Sequence, residues 1–557
     1  MEDDSHAAKY RKVMKEVLLA NKISGLDCQR IALASTNAGS SGIEDFAKAG
    51  SKGKHVQNIH RDLISTIMKE SDWPEYYWAD VPLFDPKVQR TVIVRMPFLL
   101  PHEVAQALHN NNKLTHAKTT KATCPKGVWK HLREAANVLG SSIGDLHAFG
   151  IHGDGTPCGA KESVEQLSWS LPCWEGEGFA PRFLIFSVLK EFVVKTETWN
   201  AVFEVIAWSF KCLFAKCWPE KRHDGTAFCS TDVNRSKLSG PMSVQGVLCQ
   251  ARGDWKFFKE VFNFPAWNNK SSMCWMCSAD RDTMKDFSSA ASWRSQRNGP
   301  NDLLRTLRAA GVRPCPLFSI PLFHPGLVLV DWLHTMDLGV AADMLGNFFQ
   351  EMLSFMPGNN KKERVKHLWH LMQRWYDNHP EATRLLNLTP EMIKQDQKKP
   401  KLRGKASQVK SLVPFAAQLA QQHCHGSNRL DTMRNAIGHL SFLYVSLDAA
   451  VWPMEAAGAS ARKMLLLYSA LQAEQQGNGN YVCWQLKPKY HLLLELIEYV
   501  AAEQGSPKLY WTYADEDFGG WLAKLAARRG GHRTPKHVAL MLLNNCTWVN
   551  SMRELEM

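Results

Sequence analysis

The feature that most constrains the fold is a series of strand-like segments interrupted by one long apolar helix. Three segments alternate or run apolar as β-strands do, a fourth has the composition of a buried helix, and a fifth is again strand-like. They cover residues 146–157, 163–174, 182–189, 199–218 and 243–258. Strands that precede a buried helix and a returning strand build a mixed sheet with helices packed on it. The sequence therefore predicts an α/β core over residues 141–265.

The segments on either side of this core are predicted to be mainly helical. Residues 1–140 have helical apolar spacing broken by loops and one strand-like piece at 90–100. Residues 266–350 carry a cysteine pair and a proline-rich connection, and residues 351–557 contain several amphipathic helical stretches. A chain of 557 residues is too long for one ordinary core, so we expect more than one folding unit.

The charge of the chain favours a polyanionic partner. The formal net charge of +13 favours nucleic acid over an acidic small molecule. Basic residues concentrate at 394–410, where Pro400 and Gly404 exclude a long helix. As a flexible loop, this stretch would follow a phosphate backbone by charge attraction. The alternative is a solvated linker.

Nothing in the sequence predicts a membrane protein. No apolar run reaches the roughly 18 residues that a membrane span needs, and residues 1–30 mix acids and bases where a signal peptide is apolar. We therefore expect a protein of the cytosol or nucleus. The 14 cysteines are too sparse for a disulfide framework, so reduced and mostly buried thiols are predicted.

Two acidic residues follow predicted strands of the core. Asp154 lies near the end of the first strand, and Asp254 lies in a Gly-Asp pair near the end of the last one. In an open α/β sheet, such strand ends are the usual place for a functional site. The alternative for each residue is an ordinary turn, because Asp-Gly pairs are common in turns.

A Cys-x-x-Cys pair raises the question of a zinc site. Cys274 and Cys277 have the spacing that allows two thiolates to bind one tetrahedral zinc ion. A closed structural site needs two further ligands, and His324 and His334 are the candidate imidazoles. Such a site would join the linking segment to the core. The alternative is two buried thiols on either side of a tryptophan.

Six short motifs follow one another in a fixed order. They are HGDG at 152–155, GDWKFF at 253–258, CWMC at 274–277, DWLHTMDLGV at 331–340, PKYHLLLELIE at 488–498 and YWTYADEDFGG at 510–520. In this order and spacing they resemble CACTA-type DDE transposases, and most closely the transposase-like proteins abundant in dinoflagellate genomes. The resemblance covers roughly residues 60 to 550.

The resemblance implies an RNase-H-like mixed sheet core with a large, mainly α-helical insertion and a C-terminal helical region. It implies DNA as the partner, self-association of the chain, and DNA cleavage and strand transfer with Mg²⁺ or Mn²⁺. The implied location is the nucleus, with the cytoplasm as the alternative. Asp154 and Asp254 match the first two acids of the family. In that chemistry, carboxylates from separate elements converge on metal ions about 3.5 to 4 Å apart.

The third acid is less sharply defined. Glu516 in the motif near the C-terminus is our choice, with its neighbours Asp515 and Asp517 as alternatives. All three could also form a solvated helix start, because acids are favoured at helix N-termini. Asp331 and His334 match the Asp-x-x-His block of the family, which requires no acid at Asp337.

Three functions are consistent with these patterns. The first is a DDE-type, metal-dependent transposase. The second is a former transposase that has lost catalysis and binds DNA or protein, which the uncertain third acid and the lack of zinc-finger spacing near the N-terminus favour. The third is a soluble protein unrelated to nucleic acid, which the ordered motifs disfavour.

Overall fold

A computed structural model of the chain describes most of its length. The described residues are 2–20, 22–51, 58–69, 73–114, 119–122, 124–174, 181–395, 398–479, 482–531 and 534–552. Within them, helices predominate, and the strands form two small sheets. The protein therefore has a mixed α/β fold, as predicted.

One sheet is a hairpin and the other is mixed. The strands are β1 (Tyr77–Asp85), β2 (Arg90–Phe98), β3 (Leu146–Pro157), β4 (Ser163–Ser170), β5 (Arg182–Leu189) and β6 (Gln245–Gly253). β1 and β2 pair antiparallel with each other. The other four lie in the order β5-β4-β3-β6, with β3 antiparallel to β4 and parallel to β6. The predicted strand at 182–189 is confirmed at both ends. The turn expected at Asp154 and Gly155 is not present, because both residues pair with β4 inside β3.

The helices account for the rest of the regular structure. They are α1 (Glu2–Leu19), α2 (Gly25–Asn37), α3 (Glu44–Ala47), α4 (Ile59–Lys69), α5 (Pro101–Asn110), α6 (Lys126–Leu139), α7 (Lys195–Ala215), α8 (Trp255–Phe262), α9 (Asp302–Ala309), α10 (Ala342–Met352), α11 (Lys361–Asp377), α12 (Pro390–Ile393), α13 (Ala406–Ser411), α14 (Val413–His423), α15 (Asn428–Leu447), α16 (Met454–Gly477), α17 (Pro488–Leu494), α18 (Ala501–Gln504), α19 (Tyr513–Ala527) and α20 (Pro535–Met552). Two π-helical segments, Leu333–Ala341 and Glu495–Val500, run directly into α10 and α18.

The connection from β5 to β6 explains why the sheet is mixed. β4 returns antiparallel to β3, and β5 returns antiparallel to β4. The chain then crosses over through α7, the predicted apolar helix, and β6 lies parallel to β3. A parallel pair needs such a crossover. Every residue of β6 is buried, which is typical of strands covered on both faces. The strand predicted within 243–258 ends at the Gly-Asp pair as expected, because β6 ends at Gly253 and α8 begins at Trp255.

The buried hydrophobic residues form more than one core. One large core joins both sheets to the C-terminal helices. The first four helices form a smaller core of their own, which includes Leu18, Phe46 and Leu63 and is completed by Trp548 of α20. The hairpin and α5, which lie in the region predicted to be mainly helical at 1–140, belong to the main core.

The basic stretch at 394–410 is partly fixed to the helices. Backbone N–H groups of Lys401, Leu402 and Arg403 donate to the carbonyls of Ile393, Ala342 and Met392. The predicted flexibility therefore does not apply to residues 401–403. Residues 396–397 of this stretch lie outside the described residues.

Two further predictions concern membranes and cysteines. In the described parts of the chain, no helix combines the length and apolarity needed to cross a membrane. Cys124 and Cys173 form a disulfide, so the prediction of reduced thiols is wrong for this pair, which packs together beside α6. Among the remaining cysteines, Cys217 and Cys229 are exposed and the others are buried.

Candidate active site and candidate metal centre

Asp154 and Asp254 lie at the same end of the parallel strand pair formed by β3 and β6. Gly153 and Gly253 are Cα partners in the parallel pairing of β3 and β6, and each aspartate is the next residue along its strand. The strands approach closely here, because a Cβ atom at Gly253 would lie 2.8 Å from the carbonyl oxygen of Gly153. The two predicted acids are therefore neighbours at one end of the sheet.

The two carboxylates have different local roles. Asp254 is the N-cap of α8, where its Oδ1 accepts a hydrogen bond of 2.6 Å from the backbone N–H of Phe257. It also lines a cavity of about 530 Å³. Asp154 lies within β3, half-buried and opposite Gln166 of β4. One acid is thus held by a helix terminus and the other by the sheet.

Asp331 and His334 form a hydrogen-bonded unit next to these acids. His334 Nδ1 lies 2.7 Å from Asp331 Oδ2, and its backbone N–H donates to the same oxygen. Asp331 Oδ1 accepts from the backbone N–H of Thr512, the residue before α19. Asp331 is buried and therefore ties the start of the π-helical segment to the start of α19.

Glu516 lies in the first turn of α19 and faces this unit. Its Oε1 is 3.5 Å from His334 Nε2. α19 packs on β3 and β4, and a Cβ atom at Gly519 would lie 2.9 Å from Thr156 Oγ1, so the small residue permits the contact. This close packing brings Glu516 to the sheet edge that carries Asp154.

The charges of the site act on one another. Burial, and next the negative charge of Asp154, raises the pKa of Glu516 to about 8. Burial opposes the ionisation of His334, but the hydrogen bond and the charge of Asp331 raise its pKa to about 9. The charges of Glu516 and Asp154 make smaller contributions in the same direction. The carboxylates therefore stabilise the His334 cation, whereas burial and the charge of Asp154 disfavour the ionised form of Glu516.

The neighbouring acids are engaged elsewhere. Asp515 is buried with Arg182 at 2.8 Å and Arg252 at 3.2 Å, and despite burial these cations lower its pKa to about 2. Asp517 is exposed. Asp337 is buried and accepts hydrogen bonds from two tyrosine hydroxyls. Of the three candidates for the third acid, Asp515, Glu516 and Asp517, the structure places Glu516 beside Asp154.

The three predicted acids do not form a closed metal cage. Carboxylate oxygens of Asp154, Asp254 and Glu516 are not all within 4.8 Å of one another. Glu516 Oε1 is buried without a hydrogen-bond partner among the described residues. A buried carboxylate oxygen without a donor is costly unless a cation or a proton compensates it. Here the His334 ring at 3.5 Å and the raised pKa of Glu516 provide that compensation, and a metal ion would take their place.

A second cluster does bring four ligand atoms together. Donor atoms of Cys274, Cys277, His491 and Glu495 all lie within 4.8 Å of one another, and all four residues are buried. Cys277 Sγ is 3.3 Å from His491 Nε2, which is 3.3 Å from Glu495 Oε1. This group could bind a metal ion. His491 and Glu495 are four residues apart, on one face of the helix that begins with α17.

The members of this cluster set one another's protonation when no metal ion is bound. The hydrogen bond from Cys274 lowers the pKa of Cys277 to about 7. Burial opposes the ionisation of His491, but contacts with Cys277 and Glu495 raise its pKa to about 9. Arg297 donates to Glu495 Oε1 at 2.7 Å. Without a cation, the cluster thus holds its negative charges with a proton and a guanidinium.

The histidines expected from the sequence are not part of this cluster. His324 is half-buried, its Nδ1 accepts from the backbone N–H of Gly326, and its ring packs against His131. His334 belongs to the acidic site. The sequence analysis did not predict His491 and Glu495 as ligands, because they are more than 200 residues from the cysteines. Their i, i+4 spacing in the motif at 488–498 was the available signal.

Comparison with known proteins gives no family for this chain. No protein-family model matches it, and no curated protein is significantly similar to it in sequence.

Proposed function

We propose that the chain is a transposase-like, DNA-binding protein whose site at the end of the main sheet cleaves DNA and transfers strands with a divalent metal. The observation that carries this proposal is the placement of three acids. Asp154 and Asp254 extend from adjacent parallel strands at one edge, and α19 brings Glu516 to the same edge.

The order of the strands supports the same proposal. The main sheet has three consecutive antiparallel strands, followed by a crossover helix and a fourth strand parallel to the first. This arrangement is expected of an RNase-H-like core. A parallel bridge between Ala251 of β6 and Val328 extends the sheet beyond β6. The Asp-x-x-His block begins three residues after this bridge. Asp154, Asp254 and Asp331 therefore follow three segments that are neighbours in the sheet.

The residues of the site fit a hard divalent cation. Asp154, Asp254 and Glu516 would supply the oxygen ligands that Mg²⁺ or Mn²⁺ prefers, and Glu516 Oε1 accepts no hydrogen bond from the described residues. When bound, such an ion supplies charge stabilisation for the attacking and leaving oxygens of a phosphodiester. Asp331 and His334 orient the start of α19 and hold a positive charge beside Glu516.

A nicking assay on supercoiled plasmid tests this function. We expect Mg²⁺-dependent nicking by the full chain, and its loss in Asp154→Asn and in Asp254→Asn. Asp145→Asn is the matched control, because Asp145 is exposed at the opposite end of β3. Nicking that persists in both site variants, or disappears in the control, would contradict the proposal.

A second candidate is a derived factor that binds DNA or protein without cutting. It is favoured by the separation of the three acids, whose oxygens are not all within 4.8 Å of one another. Salt-dependent binding to duplex DNA with no nicking in Mg²⁺ or Mn²⁺ would select this candidate. The nuclear location and self-association belong to both versions of the proposal.

For the second cluster, we propose structural Zn²⁺. Two sulfurs, one imidazole nitrogen and one carboxylate oxygen match the number and type of ligands of a closed tetrahedral site. Buried atoms His491 Nδ1 and Glu495 Oε2 have no hydrogen-bond partner among the described residues. Zinc would join the segment that carries Cys274 to the helix that carries His491. Measurement of zinc per chain after purification in zinc-containing buffer tests this assignment.

A further inference from the structure

A cavity beside the acidic site has an unusual concentration of lysines. It has a volume of about 530 Å³, and its lining includes Asp254, Asp331 and His334 of the site described above. The same lining includes Lys401, from the basic stretch, and Lys487 and Lys489, from the start of the helix that carries His491. Two chain segments that are about 90 residues apart thus bring cations to the acidic site.

Each lysine is held in place by one contact. Lys401 Nζ donates to the carbonyl of Leu338 at 2.8 Å, and Lys489 Nζ donates to the carbonyl of His334 at 2.6 Å. Lys487 Nζ pairs with Asp343 Oδ1 at 2.7 Å. An ammonium group has three N–H donors. Each lysine therefore keeps donors that the described residues do not use.

The positive charge in the cavity is incompletely compensated. Of the three ammonium groups, only that of Lys487 has a carboxylate within ion-pair distance among the described residues. Burial lowers the pKa of Lys401. The charge of Asp343 opposes this effect, and the charges of Lys487 and Arg403 add to it. Partly buried like charges repel each other, so an anion bound between them would relieve an unfavourable interaction.

The rest of the lining favours a nucleotide chain over a free inorganic anion. Trp267 lines the same cavity with 41% of its surface exposed, and Lys259 lies 5.4 Å from its ring. An exposed indole offers an apolar face to a sugar or base, while lysines track the phosphates. Asp254, which we assign to the cleavage site, faces the same space.

We propose that this cavity binds a phosphodiester group of a DNA strand, with Lys401, Lys487 and Lys489 donating to its non-bridging oxygens beside Asp254. This inference rests on the proposed function, because it assigns the group that lies next to the cleavage site. The basic stretch at 394–410 would then act through one fixed lysine that enters the site.

Binding of a fluorescein-labelled single-stranded oligonucleotide, measured by anisotropy without divalent metal, tests the inference. Lys401→Gln and Lys487→Gln should each weaken binding by about tenfold, since each removes one charge-assisted contact. The slope of log K against log salt should fall by about 0.7 for each lysine removed. Lys398→Gln is the matched control, because Lys398 is exposed in the same basic stretch.

Two comparisons complete this experiment. Lys401→Arg should recover the salt slope, because it restores the charge. Inorganic phosphate and a mononucleotide serve as competitors, and we expect the oligonucleotide to bind far more tightly than either. Equal competition by inorganic phosphate, or equal losses in Lys398→Gln and Lys401→Gln, would overturn the assignment.

Amine-reactive labelling of the unmodified protein covers the case in which a variant does not fold. Bound oligonucleotide should protect Lys401 and Lys487 but not Lys398, and equal protection of all three would overturn the inference. Failure of the proposed function is distinguishable. Lysine-dependent binding without Mg²⁺-dependent nicking removes only the catalytic proposal, whereas nicking with lysine-independent binding removes only this one.

Discussion

Gly153 of β3 and Gly253 of β6 lie directly opposite each other in a parallel strand pair. Because the side chains that follow them are Asp154 and Asp254, the two acids are placed by backbone pairing and not by a flexible loop. Main-chain hydrogen bonds between strands hold this spacing even when the carboxylates repel each other. The acid that can adjust to a bound ion is therefore Glu516, on a helix packed against the sheet.

Glu516→Gln should abolish metal-dependent nicking while leaving the fold intact. The amide keeps the size of the side chain but removes the charge that would bind a cation, so we expect a loss of about 10²-fold or more. Plasmid nicking over a range of Mg²⁺ concentrations measures this effect. Asp517→Asn is the control on the next residue, which is exposed. If the two variants were equally active, Glu516 would not be the third acid.

Asp331→Asn should destabilise the protein more than a surface substitution. The two oxygens of Asp331 accept from the backbone N–H groups of Leu333, His334 and Thr512 and from the ring of His334. An amide replaces one acceptor oxygen with a donor and removes the charge opposite His334. We expect the free energy of unfolding to fall by about 3 kcal/mol.

Urea denaturation followed by circular dichroism measures this loss. Asp282→Asn serves as the control because the Asp282 side chain is 93% exposed, and it should change stability by less than about 0.5 kcal/mol. A similar small change in Asp331→Asn would show that the buried hydrogen bonds contribute little.

Local sequence patterns predicted the core of the sheet well. The apolar run RFLIFSVL gave β5 with its observed bounds, because strand composition and burial are encoded within a few residues. The apolar start of LHAFGIHGDGTP gave the start of β3, but the Asp-Gly turn expected there is part of the strand. Asp154 and Asp254 followed from these strands. Their adjacency required only the crossover by α7, which the sequence also indicated.

The remaining parts of both sites depend on contacts between distant segments. His491 reaches Cys277 only because the C-terminal helices fold back onto the linking segment, and no local pattern encodes that packing. The entry of Lys401 into the cavity likewise follows from its backbone hydrogen bond to Ile393 and its side-chain contact with Leu338. Composition alone indicated a solvated basic loop.

His491→Ala should remove bound zinc, whereas His324→Ala should not. Purified protein should contain about one zinc per chain, and loss of one of four ligands should reduce this to near zero. Metal that binds only the folded state stabilises it by about 4 kcal/mol when free zinc is about 1,000 times the dissociation constant. A chelator should therefore lower the unfolding free energy of the unmodified protein and of His324→Ala.

Metal content by mass spectrometry and unfolding with and without chelator provide the two readouts. In His491→Ala the chelator should have no further effect. Equal zinc content in the two histidine variants would rule out the assigned ligand set. Zinc loss in His324→Ala alone would instead show that His324, the candidate from the sequence, is the histidine ligand.

Asp337 should make stability decrease as pH rises through the weakly acidic range. Burial raises the pKa of Asp337 to about 7, and the charge of Asp331 acts in the same direction. The hydroxyls of Tyr444 and Tyr513 and the charge of Lys410 partly oppose this increase. In the unfolded chain the carboxyl ionises near its usual pKa of about 3.9. Between these values only the unfolded state loses the proton, so unfolding becomes more favourable as pH increases.

Asp337→Asn removes this dependence, because the amide does not titrate. The unfolding free energy of the variant relative to the unmodified protein should therefore rise by up to about 4 kcal/mol between pH of about 4 and 7 and stay level above that. Urea denaturation at a series of pH values measures the difference. Asp448→Asn, which alters an exposed ion pair with Lys508, should give a nearly flat difference. A flat difference for Asp337→Asn as well would mean that Asp337 is ionised in the folded protein.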